Sequence, residues 1–110
     1  MTPTIGRIVH YALTEKQAQE VNRRRVAQPH LPEWPAGAQA HIGNPVCTGS
    51  IVPMIVTAVW PNEFGPDRPG INGQALLDGG DSLWVTSVAE TPPSETPEPQ
   101  PGCWVWPPKV

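Results

Sequence analysis

Proline is what limits this chain most. Sixteen prolines and ten glycines stand among its 110 residues, and proline removes a backbone donor and breaks a helix interior. Such a composition favours short strands and turns over a helix bundle. Against that background one stretch stands out: Gly49 to Trp60, Gly-Ser-Ile-Val-Pro-Met-Ile-Val-Thr-Ala-Val-Trp, the longest apolar run. β-Branched residues at Ile51, Val52, Ile55, Val56, Thr57 and Val59, the internal Pro53 and the stop at Trp60-Pro61 make it an extended strand rather than a helix. Side chains alternate along a strand. Val52, Met54, Val56, Ala58 and Trp60 share one side, and Ile51, Pro53, Ile55, Thr57 and Val59 the other. Both sides are apolar, so both are expected to be covered.

The remaining elements follow in order. Ile5 to Leu13 has strand composition, with Ile8, His10 and Ala12 on one face and Arg7, Val9, Tyr11 and Leu13 on the other. Thr14 with Gln17 three residues later is a capping box, and Leu13 is placed to staple against Ala18. They start a helix that should run to about Val26. Its apolar stripe is thin, Ala18, Val21 and the stem of Arg25, so it is expected on the surface rather than in the core. Proline-rich loops are expected at about 28–43, 61–73 and 91–102. Asn44-Pro45 and Gly49-Ser50 mark turns. Gln74–Asp78 and Asp81–Val88, joined by Gly79-Gly80, read as a hairpin whose glycines supply positive φ. In its second arm Trp84, Thr86 and Val88 alternate with Leu83, Val85 and Ser87. Thr91 to Gly102, with five prolines and two acids, reads as a polyproline-like surface insertion. Cys103 to Trp106 is a last strand, with Trp104 and Trp106 on one face.

The fold class is therefore mostly β: a small SH3-like barrel or β-roll of five to six strands, sequential strands antiparallel, with one short surface helix. A single domain over 1–110 matches the length. Residues 1–42 carry five basic and three acidic residues and the remainder two basic and seven acidic, which leaves no chain-wide footprint for extended nucleic acid. No apolar run approaches the roughly 20 residues of a membrane helix, and the first residues show no secretory signal pattern. A soluble protein of the cytoplasm is the expectation. Cys47 and Cys103 are too few for a disulfide scaffold or a zinc site and read as free and buried, with a single long-range disulfide between them as the alternative.

Five tryptophans stand against one phenylalanine and one tyrosine. Three of them precede proline, Trp34, Trp60 and Trp106, and a residue before proline is held extended. These rings should sit near a rim, filling a small core and an interface or stacking on a base or sugar. Arg23-Arg24-Arg25 spreads over roughly 200° of a helix, so one arginine should lie against the barrel and two should face out. Arg7, on a strand, is the stiffer anion ligand. His10, a lone histidine on a strand among apolar neighbours, reads as a buried, hydrogen-bonded residue more readily than as a ligand or base, and the spacing of the three histidines fits no metal. Asp78-Gly-Gly-Asp81 reads as turn chemistry rather than a metal pair. No nucleophile elbow, phosphate loop or His-x-Glu pattern occurs, so no enzyme, cofactor or metal is expected.

Gly6-Arg7-Ile8-Val9-His10-Tyr11, Asn72-Gly-Gln-Ala-Leu-Leu-Asp78-Gly and Gly102-Cys-Trp-Val-Trp106-Pro107 together resemble a group of short proteins encoded in tailed-bacteriophage genomes. Those proteins begin Gly-Arg-[Ile/Val]-Val-His-Tyr and end Gly-Thr-Trp-His-Trp-Pro. Cys103 and Val105 stand where that group often has threonine and histidine. The resemblance implies a phage accessory protein. Two roles follow as expectations. One is an anti-defence homo-oligomer in the host cytoplasm that sequesters a nucleotide signal, with Arg7, His10, Tyr11, Arg24, Trp84, Trp104 and Trp106 as ligand-binding residues. The alternative is a capsid or tail accessory protein of the virion. An oligomer is expected in either case, because the Ile51–Trp60 strand and the Trp104–Trp106 face carry more apolar surface than a small monomer can cover.

Overall fold

Five strands close on one another, each hydrogen-bonded to a neighbour on both sides, in the order β1-β2-β3-β4-β5 and back to β1. The structure, a computed structural model, describes residues 2–26, 43–93 and 98–108. The strands are β1 (Ile8–Ala12), β2 (Ile51–Trp60), β3 (Gly70–Leu76), β4 (Ser82–Glu90) and β5 (Cys103–Val105), and one helix, α1 (Glu15–Val26), follows β1. A mostly β barrel with one short helix is thus the fold. Three of the four chain-order junctions are antiparallel, but β4 and β5 run parallel. This departs from the all-antiparallel expectation, and the segment from Thr91 to Gly102 is what makes it possible. A parallel neighbour needs a crossover long enough to return the chain to the same end. That segment is fastened at its ends: Gln100 N–H donates to Thr91 Oγ1 at 3.0 Å, Gly102 N–H to Ala12 O at 2.8 Å, and Pro99 is buried.

The barrel interior is the core. Val9, Tyr11, Val52, Met54, Val56, Ile71, Ala75, Leu83, Val85, Val88 and Trp104 fill it from the strands, and Leu13, Val21 and Leu77 close it. α1 lies on the surface of the barrel as its thin stripe suggested: Ala18, Val21 and Arg25 are its buried residues, and Val21 alone of them joins the core cluster. The capping box is present: Gln17 N–H donates to Thr14 Oγ1 at 3.2 Å and Thr14 N–H to Gln17 Oε1 at 2.9 Å. Leu13 and Ala18 are both buried. Glu15 in the first turn and Arg23, Arg24 and Arg25 in the last complement the helix dipole.

Two bulges break the simple alternation. On β2 the pairing steps from Val56↔Gly73 to Ala58↔Asn72, which places Thr57 as an extra residue. On β4 it steps from Val85↔Gly73 to Val88↔Ile71, which leaves Thr86 and Ser87 opposite Asn72. After a bulge the sides exchange. Val59 therefore packs on the core while Trp60 faces out, and Val88 turns inward, against the register expected for both. Gly73 lies between the bulges, and a Cβ there would strike the Met54 side chain and the Ile55 carbonyl, at 2.5 and 2.8 Å.

β3 starts at Gly70, inside the stretch expected as loop, and its hairpin with β4 closes at Leu76↔Ser82. The connection is therefore longer than Gly79-Gly80, and neither glycine has positive φ. Instead Gly79 forms a bridge with Gly43. The proline-rich loop expected at 28–43, with Trp34, His30 and His41, lies outside the described residues apart from Gly43. Both cysteines are free, but Cys47 is exposed and Cys103 half-buried, which corrects the expectation that both are buried. Burial pushes the Cys103 thiol above its ordinary pKa, and a hydrogen bond with Thr91 partly offsets this.

Candidate functional site

The outward side chains of β1 to β4 form rows across the sheet. Ile8 pairs with Ile55, Ile55 with Gln74 and Gln74 with Trp84, while His10 pairs with Pro53 in the next row. Trp84 is 64% exposed and Ile8 51%, and Ile51 and Leu76 on the same side are exposed as well. The outer side of β2 is thus left largely uncovered by the described residues. Exposed apolar side chains stand on the outside of four strands, with His10 and Gln74 among them. β5 is short and pairs β4 only at Ala89 and Glu90, so the Ser82–Val88 stretch of β4 keeps an edge with no strand partner among the described residues.

The seven expected ligand residues do not converge. Arg7 and Trp106 do meet: the Arg7 guanidinium lies 5.5 Å from the Trp106 ring centroid. Trp106 in turn stands edge-on to Trp104, with centroids 5.5 Å apart and planes at 90°. Trp104 itself is completely buried, as is Tyr11, so neither can stack on a ligand. The Trp104 Nε1–H is a buried donor with no acceptor among the described residues. Tyr11 donates its hydroxyl to Gln17 Oε1 at 2.7 Å and so ties β1 to the capping box. Burial raises the Tyr11 pKa, the Gln17 bond opposes that, and Cys103 adds to it. His10 is half-buried on the outer face rather than buried as expected, and Trp84 stands on β4, with β2 and β3 between them on one side of the barrel and β5 on the other.

Arg24 is engaged elsewhere. Asp81, nearly inaccessible, receives Arg25 Nη2 at 2.8 Å on Oδ1, and Arg25 Nη1 at 3.1 Å and Arg24 Nη1 at 2.9 Å on Oδ2. Arg24 also donates to Ser82 O at 3.1 Å, and Arg25 Nε to Asn44 O at 3.1 Å. Two of the three consecutive arginines, not one, therefore face the barrel, because the β3–β4 turn offers them a carboxylate. Asp78 accepts from Asn44 Nδ2 at 2.6 Å. Burial pushes the Asp81 carboxyl up, but the hydrogen bonds and charges of Arg25 and Arg24 outweigh it and hold its pKa below the ordinary value. The pair is an anchor between helix and hairpin. No cluster of three or more potential metal ligands occurs among the described residues.

A cleft of about 510 Å³ opens where both bulges meet, walled by Trp60, Glu63, Asn72, Thr86 and Ser87. None of these was in the expected ligand set, although Trp60 carried the rim signal of a Trp-Pro pair. Ser87 has φ of 54° and Asp67 of 58°, left-handed values that are unfavourable for residues with a Cβ. Ser87 N–H donates to Asn72 Oδ1 at 2.9 Å, which holds the bulge. The loop beside the cleft is built of turns: Gly65 N–H donates to Asn62 O, Arg68 N–H to Gly65 O and Phe64 N–H to Arg68 O. Gly70 allows this loop to fold back on β3, since a Cβ there would collide with the Glu63 carboxylate and the Phe64 ring. A smaller cleft of about 290 Å³ lies between Arg68-Pro69 and Glu90-Thr91.

No protein-family model matches this chain, and no curated protein or solved structure matches it. What it can do is read from its own surface. The described residues bring together an apolar sheet face, an arginine stacked on a rim tryptophan, and a cleft with an aromatic wall and hydrogen-bonding groups.

Proposed function

We propose that this chain is a non-enzymatic accessory protein of phage type that works as a homo-oligomer and serves as a structural or decoration component of the virion. The observation that carries the reading is the outer sheet face, where Ile8, Ile51, Pro53, Ile55, Leu76 and Trp84 are presented by strands of a closed barrel. Exposed apolar surface on a small stable domain favours contact with another protein surface, and Trp is the side chain that contributes most to such contacts. The test is peptide mass spectrometry of purified particles of a phage encoding the chain. Its peptides should be present at a fixed copy number relative to the major capsid protein. Abundance in the infected-cell lysate with absence from particles would overturn the assignment.

A second reading places the protein in the host cytoplasm, as an anti-defence protein sequestering a nucleotide-like molecule. It is favoured by one contact, Arg7 over Trp106, since a guanidinium beside an indole can meet a phosphate and a base together. The expected sign is a rise in melting temperature with cyclic or ADP-ribose-type nucleotides that Arg7→Ala removes. No rise in the presence of millimolar ligand would reject it. Neither reading involves extended nucleic acid, and no helix among the described residues is long and apolar enough to cross a membrane.

A further inference from the structure

We propose that the Trp60 cleft is a binding site for an uncharged sugar ring. The inference does not depend on where the protein acts, because it rests on the chemistry of the cleft walls.

The cleft is shallow and has one aromatic wall, the Trp60 indole, which is 47% exposed. Trp60 pairs across the sheet with Gly70, and the Glu63 carboxylate packs where a side chain at Gly70 would stand. An indole face is the negative side of the ring quadrupole. The C–H groups on one face of a pyranose carry small positive charges, so a sugar ring stacks on a single indole.

Beside Trp60 the cleft is lined by Pro61 and by side chains that hydrogen-bond. Glu63 offers acceptors only, while the Thr86 and Ser87 hydroxyls both donate and accept. Asn72 gives its Oδ1 to the Ser87 amide, which fixes the side-chain amide and leaves Nδ2 as its donor end. Sugar hydroxyls donate and accept, and so satisfy all of these at once. Phosphate does not. Among the residues lining the cleft Glu63 carries the one charge, and it is negative. A nucleotide could stack its base on Trp60 but would bring its phosphates toward a carboxylate with no lining cation.

The cleft is also built before any ligand arrives. The bulge at Thr57 on β2 and the one at Thr86-Ser87 on β4 both fall opposite Asn72, and bulges commonly re-aim side chains beside functional sites. The left-handed φ of Ser87 is the kind of local strain kept where a site requires it. The hydrogen-bonded turns of 62–68 fix Glu63 against Gly70. Preorganisation of this kind lowers the cost of binding.

The experiment is an amide and indole N–H NMR titration of the full chain with glucose, galactose, rhamnose and N-acetylglucosamine, with AMP as the anionic aromatic comparator. The expected result is saturable shifts from at least one sugar, confined to the Trp60 indole and the amides of residues 60–63, 72, 86 and 87. AMP should cause little change there. Trp60→Ala should weaken that sugar by about tenfold or more, with the spectrum of the barrel otherwise retained. Glu63→Gln, which keeps the shape and removes the charge, should weaken the sugar and let AMP approach. Absence of saturable shifts with every sugar, shifts centred outside the cleft, or tighter binding of AMP than of any sugar at these residues would overturn the proposal.

Discussion

Asp81 carries more of the structure than its place in a turn suggests. Its carboxylate joins the last turn of α1 to the β3–β4 connection through two arginines. Removing one partner of a buried pair leaves uncompensated charge, and the cost is about 3–5 kcal/mol. Asp81→Ala should therefore lower the free energy of unfolding in urea by that order at pH 7. The same contact sets an acid limit. The folded pKa lies below the ordinary value of 3.8, so the stabilisation is complete above that value and is lost as pH falls through the folded pKa. Stability of the native chain should decline below about pH 4, and Asp81→Asn should lack that part of the decline. At Tyr11 the stake is smaller. Tyr11→Phe removes a hydrogen bond to Gln17 and should cost about 1 kcal/mol in the same measurement.

Among the elements, the helix was the most legible in the sequence and the strand register the least. Thr14, Gln17 and the arginines at the C-terminal end are local signals, and α1 begins where they place it. The inward faces of β1 and of the first half of β2 also follow from alternation. The bulges could not be read, because an extra residue is defined by the partner strand and not by its own sequence; hence Val59, Trp60 and Val88 fell on unexpected sides. The Asp81 anchor was missed for a related reason. It joins residues 56 or 57 positions apart, and only the tertiary fold shows that the turn faces the helix. The candidate cleft was foreshadowed by Trp60-Pro61 alone. Relief of strain tests the bulge on β4: Ser87→Gly should stabilise the chain by about 1 kcal/mol, since glycine adopts the left-handed region without the Cβ clash. Loss of stability in a chemical denaturation series would mean that the hydroxyl holds the bulge more firmly than the backbone opposes it.

At the scale of the whole molecule, the barrel divides its apolar residues between a closed interior and an outer surface that the described residues leave bare. The interior accounts for folding, with Trp104, Met54 and Ile71 fully enclosed. The outer face accounts for association. A substitution at Trp84 separates the two, because the ring is 64% exposed and a change there should alter the stability of the monomer by no more than about 0.5 kcal/mol. Sedimentation velocity of the native chain and of Trp84→Glu at micromolar concentration is the most direct test of an assembly face. The native chain should sediment as a defined oligomer, and the variant as a folded monomer with an unchanged melting temperature on dilution. A native chain that sediments as a monomer would contradict the account, as would an oligomer that Trp84→Glu leaves intact.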